Sequence, residues 1–152
     1  MSSDRSATLT VDAIMALGPC SDYPRCRVTD LWAGRSALGW REIAALAIPP
    51  EDRLWVLLRG PWLSDIELRR LACRYVRSTP LGDGRTVWDL LTDDRSSAAV
   101  ETAERWCDGQ ATDKELAVAW DAAWAVAWAA VGAAVGAWQI AQAVELLGAA
   151  DE

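Results

Sequence analysis

Between Thr10 and Gly109 the apolar residues fall into short groups with three- and four-residue spacing, and most groups are closed by Gly or Pro. That is the pattern of successive amphipathic helices. The first group, VDAIMAL, follows Thr10 and stops at Gly18-Pro19, which suits a capped helix of about two turns. The second starts near Pro24 and stops at Gly34, with Val28, Leu31 and Trp32 spaced to share a face. The third runs from Ser36 or Gly39 to Ala47, because Pro49-Pro50 cannot continue it. In the fourth, PEDRLWVLLRG, Pro50 takes the first helical position. Glu51 and Asp52 sit at its positive end, Arg59 at its negative end, and Gly60 is the stop.

Ser64 heads a fifth helix, and Glu67 three residues on completes a capping-box pattern. Its apolar stripe is Ile66, Leu68, Leu71, Ala72, Tyr75 and Val76, which places Arg69, Arg70, Arg74 and Arg77 on a solvated face. Residues 79–86 read as a loop from their Pro and Gly content, and a short VWDLL follows. A sixth helix runs from about Asp94 to just before Gly109, with Ala98, Val100, Ala103 and Trp106 inward; Thr112 and Glu115 then cap the last segment. No run alternates as a strand would, and the glycine pairs flank helix ends instead of hairpins. The expected fold is all-α: a compact single-domain bundle of six to eight helices over residues 1–152. It comprises an N-terminal helix in 1–18, Arg-rich helices in 19–78, the loop 79–86, and acidic and Ala/Trp-rich helices in 87–148.

The last segment has 23 consecutive uncharged positions between Asp121 and Glu145. An unbroken helix from Thr112 to Leu147 would run on the order of 50 Å, longer than a globule of this size is wide. It therefore either breaks near Gly132 or Gly136 into a hairpin, or projects and pairs with another chain. On a helical wheel Trp120, Trp124, Trp128 and Trp138 share one side and alanines fill the other, as in a core helix packed on both sides. Gly132 and Gly136 match the small-residue motif of membrane helix dimers, yet the Ala-rich composition and the lack of flanking Lys or Arg argue against a span. Trp124 and Trp128, where uncovered, form an apolar patch for a dimer or a target.

Composition sharpens this picture at three points. Ten Trp and no Phe make indoles the bulky core components, each bringing an N–H that needs an acceptor. Net charge is −7, unevenly spread: residues 1–78 carry eleven Arg and nine acids, residues 79–152 four basic residues and thirteen acids. The second half thus suits a basic partner and disfavours nucleic acid or an anionic membrane. Arg outnumbers Lys fourteen to one, as in proteins from GC-rich genomes. Without His, with no Ser or Cys in a nucleophile context and no phosphate-binding Gly pattern, an enzyme is not expected. No export signal opens the chain, so Cys20, Cys26, Cys73 and Cys107 read as cytoplasmic thiols; their spacing suits no zinc site, and no cofactor is expected. The candidate partner-binding residues are the acids Asp93, Asp94, Glu101, Glu104 and Asp108, together with Trp124 and Trp128. Glu101, Glu104 and Asp108 crowd like charges on one helix face, a small cost in stability.

The order GPCSDYPR, LWAG, EDRLWVLLR, ELRRLACRYV and TDDRSSAAVETAERWCDGQATDKELAVAWDAAWAVAWAAVGAA resembles a family of small phage and bacterial helical proteins. These end in alanine runs with Trp or Arg every four residues and are described as immunity-protein-like domains. The similarity covers residues 19–145, and this chain has Val, Gly and Trp where the family pattern repeats Arg. The resemblance implies a non-catalytic inhibitor that neutralises another protein, such as a toxin. The alternative is an acidic anti-CRISPR-type inhibitor that occupies a nucleic-acid-binding surface of a host defence complex. Both imply a protein partner, with a homodimer as a further arrangement.

Overall fold

The computed structural model describes residues 3–119 and 137–149. Among them the chain forms α1 (Val11–Ala16), α2 (Arg25–Trp32), α3 (Trp40–Ala44), α4 (Pro50–Arg59), α5 (Asp65–Ser78), a 3₁₀ turn (Val87–Leu90), α6 (Asp94–Cys107), α7 (residues 113–119) and α8 (Ala137–Gly148). Extended pairing in these residues is confined to two isolated bridges, Leu9 with Leu38 and Pro80 with Thr86. The protein is all-α, as the pattern predicts. The expected break at Gly132 or Gly136, the alanine face, Trp124 and Trp128 lie outside the described residues. No helix among the described residues is long and apolar enough to cross a membrane. The chain divides into two compact units, Met1–Ser64 with Ile140–Glu152, and Asp65–Gln139.

In the first unit local rules place the helix ends. Thr10 Oγ1 accepts the Ala13 amide at 3.1 Å, capping α1. Pro24 stands at the N-cap of α2, one position before the helix, where its fixed φ of −64° suits extended backbone. At α3 the Glu42 carboxylate accepts the Gly39 amide at 2.8 Å; glycine has no side chain to return the bond. This helix ends at Ala44 rather than Ala47. Proline at 49 and 50 pushes the residues before each into extended backbone, so the chain unwinds to present Pro50 at the first turn of α4.

The core of this unit is built on indoles. Trp32 Nε1 donates to the Leu9 carbonyl at 3.0 Å, the same oxygen that takes the Leu38 amide across the bridge at 2.9 Å. Trp62, with no exposed surface, donates from Nε1 to the Ala7 carbonyl at 2.8 Å. The pattern reads Gly60 as a helix stop, but its φ is −72°, which any residue adopts. A Cβ at Gly60 would overlap the Trp62 ring, so the glycine is required by close approach and not by a left-handed turn.

In the second unit α5 and α6 run antiparallel. Arg70 meets Cys107 and Asp108, and Arg77 meets Glu104. The buried row of α6 is Ser96, Ala99, Ala103 and Cys107, at spacings of three and four, and its small side chains let the helices approach. Ala98, expected inward, is exposed: with Asp93 as N-cap, the row facing α5 starts at Ser96. On α5, Cys73 is buried against Ala103 and Leu116, while Ile66 in the first turn is 46% exposed. α6 ends in a Schellman motif: Gly109 at φ +73° donates to Trp106 O, and Gln110 donates to Arg105 O. α7 opens with a reciprocal capping box, Glu115 N to Thr112 Oγ1 at 3.2 Å and Thr112 N to Glu115 Oε2 at 2.7 Å.

The segment 79–86 is a loop, as its Pro and Gly content implies, but it closes as a tight hairpin turn, contrary to the expectation that no glycine pair serves a hairpin. Leu81 N bonds Arg85 O and Val87 N bonds Thr79 O, with Gly82 and Gly84 at φ of +84° and +85°. Just beyond α5, Thr79 accepts at 3.4 Å from Gln139 Nε2, and Tyr75 donates to the Gln139 carbonyl at 2.7 Å; all three residues are buried.

Replacing Trp62 by Phe keeps most of the apolar bulk and orphans the Ala7 carbonyl, so chemical denaturation should show a loss of about 1–3 kcal/mol. Gly60→Ala should be destabilised as well, because the fully buried ring has nowhere to move. A Gly60→Ala protein of unchanged midpoint would refute the close-approach account.

Candidate functional site

The charge pattern of the second unit is first of all a seam between α5 and α6. Arg77 lies over the Trp88 ring, its guanidinium carbon 3.9 Å from the centroid, and extends its fork to Glu104 at 2.6 and 2.8 Å. Two turns earlier Arg70 donates to Asp108 at 2.9 Å and to the Cys107 carbonyl at 3.0 Å. Arg69 covers Trp106 at 5.1 Å, and the Trp106 N–H donates to Asp113 at 2.7 Å, tying the end of α6 to the start of α7. The solvated Arg face expected for α5 holds in part: Arg70 and Arg74 are exposed, but Arg69, Arg70 and Arg77 also reach α6, its C-cap or the 3₁₀ turn. The like-charge cost expected for Glu104 and Asp108 is offset by these cations, since apolar rows of both helices must meet and bring the flanking charges together.

The five candidate acids separate by role. Asp93 caps α6, taking the Arg95 amide at 2.9 Å and its guanidinium at 3.0 Å, and the Arg95 hydrogen bonds hold its carboxyl below the ordinary range. Glu104 and Asp108 serve the seam. Asp94 and Glu101 are exposed and make no hydrogen bond or ion pair among the described residues. Seven residues apart, they share the outer face of α6 with Ala98 and Arg105. Trp124 and Trp128 lie outside the described residues.

The sequence pattern did not point to a second feature, a cavity of about 290 Å³ inside the first unit. Its base is the buried Ile14, Val28, Trp32, Ile43 and Val56, and its rim includes Cys20, Tyr23 and Asp52. Tyr23 donates its hydroxyl to Asp52 Oδ2 at 2.5 Å. Burial first, and that bond second, push the Tyr23 hydroxyl up to about 12. Arg27 lies over the Tyr23 ring, 4.3 Å from its centroid, with its Nη1 donating to the Asp22 carbonyl. The lining comes from α1, α2, α3, α4 and the turns between them, too scattered in sequence for any spacing to reveal.

Among the described residues no group of three His, Cys, Asp or Glu is placed to hold a metal ion. All four cysteines are free thiols; Cys20 and Cys26 are exposed, Cys73 and Cys107 buried. Burial raises the Cys73 thiol to about 12 and the Cys107 thiol in the same direction, so both stay protonated at neutral pH.

An aromatic disulfide reagent at pH 7.5 should accordingly titrate two thiols rapidly and the other two only in denaturant; four fast thiols would contradict the burial. Arg77→Lys, which loses both the fork and the ring contact, should cost about 1 kcal/mol in a half-exposed pair, and a double-mutant cycle with Glu104→Gln should show coupling of about 0.5 kcal/mol. Additive losses would deny the pair. Comparison of the chain with protein-family models, curated proteins and solved structures gives no match.

Proposed function

We propose that the protein is a non-catalytic binding protein that neutralises another protein by surface association, in the manner of an immunity protein. The observation that carries this reading is the division of the acids on α6. Glu104 and Asp108 neutralise Arg77 and Arg70, and Asp93 caps its own helix, whereas Asp94 and Glu101 stand exposed and unpaired among the described residues. Carboxylates that make no hydrogen bond or ion pair among the described residues add to the surface field of a chain of net charge −7. Such a field accelerates association with a basic surface. We assign the protein no catalytic role, no cofactor, and neither nucleic acid nor membrane as a direct partner. The same reading puts it in the cytoplasm, where the exposed Cys20 and Cys26 remain thiols. The acid excess of residues 79–152 also favours a second reading, an anti-CRISPR-type inhibitor seated in an Arg-rich nucleic-acid channel.

Affinity capture from a bacterial lysate, with mass spectrometry, separates the two readings by the partner recovered: a toxin or a nucleic-acid-guided effector. With either partner, the association rate should fall about tenfold or more between roughly 0.05 and 0.3 M salt. It should also fall in an Asp94→Lys/Glu101→Lys protein that keeps its helical circular dichroism. Failure to recover a partner, or a partner indifferent to salt and to both substitutions, would sink the reading.

A further inference from the structure

We infer that the cavity of the first unit is a binding site for a small aryl-alkyl amine, its ring system in the apolar base and its ammonium on Asp52. A protein cavity of roughly 150 Å³ is enough to take up benzene. The 290 Å³ here leaves room for a two-ring aromatic with a short chain. Trp32 and Trp55 contribute aromatic surface to the walls, while Ile14, Val28, Ile43 and Val56 contribute aliphatic surface. An apolar chamber with a few polar groups gathered at its edge is the usual form of a small-molecule site.

The polar edge selects the charge of the ligand. Asp52 is half-buried and its Oδ2 already takes the Tyr23 hydroxyl, which fixes the carboxylate in place. Its Oδ1 makes no hydrogen bond among the described residues. A carboxylate with one free oxygen at the rim of an apolar chamber favours a cation with N–H donors and disfavours an anion. The neighbouring cation, Arg27, is committed to the Tyr23 ring and to the Asp22 carbonyl and forms no ion pair with Asp52 among the described residues. Cys20 at the rim is exposed and leaves the approach open to solvent. This site belongs to the first unit and the exposed acids of α6 to the second, so the inference stands apart from the proposed function.

Tryptamine and its uncharged counterpart 3-ethylindole, titrated into the full chain by calorimetry or amide chemical shifts, test it. Tryptamine should bind saturably and at least tenfold more tightly than 3-ethylindole. Asp52→Asn should weaken tryptamine about tenfold and leave 3-ethylindole within twofold. Leu31→Trp, at a half-buried wall position, should block both probes while circular dichroism and the thermal transition stay in place. Val56→Met, a smaller increment at the base, is the second blocking variant should Leu31→Trp fail to fold. The inference is overturned by absence of saturable tryptamine binding, by equal binding of the two probes, by indifference to Asp52→Asn, or by binding that survives a folded blocking variant.

Discussion

An indole in a protein interior brings one N–H that has left water and must be accepted again, and the described structure is organised around where those donors go. Trp62 reaches across 55 residues of sequence to the Ala7 carbonyl, and Trp32 reaches the Leu9 carbonyl that already closes the bridge to Leu38. Trp106 reaches the Asp113 carboxylate. In each case a large apolar surface and a directional bond act on the same residue. The bond selects one arrangement from the many that burial alone would permit. Among the buried indoles of the described residues, Trp32, Trp40 and Trp62, the exception is Trp40, whose buried Nε1 has no acceptor in the described residues and whose ring is covered by Arg41 at 4.4 Å.

The arginines complete this scheme. Four of them stack on indoles: Arg41 on Trp40, Arg59 on Trp55, Arg69 on Trp106 and Arg77 on Trp88. A planar guanidinium lies flat on a ring and still directs its donors to a carboxylate, which the compact ammonium of Lys cannot do. The preference for Arg that composition ascribes to a GC-rich genome thus has a structural use as well. In the second unit this is what turns two charged helix faces into a packed seam, with Glu104 and Asp108 inside it and Asp94 and Glu101 left to the surface.

Five acids within sixteen residues look equivalent as a string, but a carboxylate held by an arginine of the same unit has already exchanged its hydration for an internal partner. A carboxylate with no partner keeps its full charge for an incoming one. Of the five acids of this stretch, the proposed reading therefore leaves Asp94 and Glu101, at the start and middle of α6, for an incoming partner.

What the sequence determined by itself was local. Thr10 before VDAIMA, Pro50 with Glu51 and Asp52, and the Thr112–Glu115 pair specify helix ends through bonds and charges spanning three or four residues, and each stands where its pattern put it. All-α character follows from the same short-range periodicity. What only tertiary structure decided involves partners far apart in the chain. Gly60 answers to the Trp62 ring, Arg77 to Glu104 across 27 residues, and the row of α6 that faces inward begins at Ser96 and not at Ala98 because α5 lies there. The cavity belongs to this second class entirely. Ile14, Tyr23, Ile43 and Asp52 share no spacing, and they meet because the segments that carry them close around Trp32, whose N–H has found its acceptor.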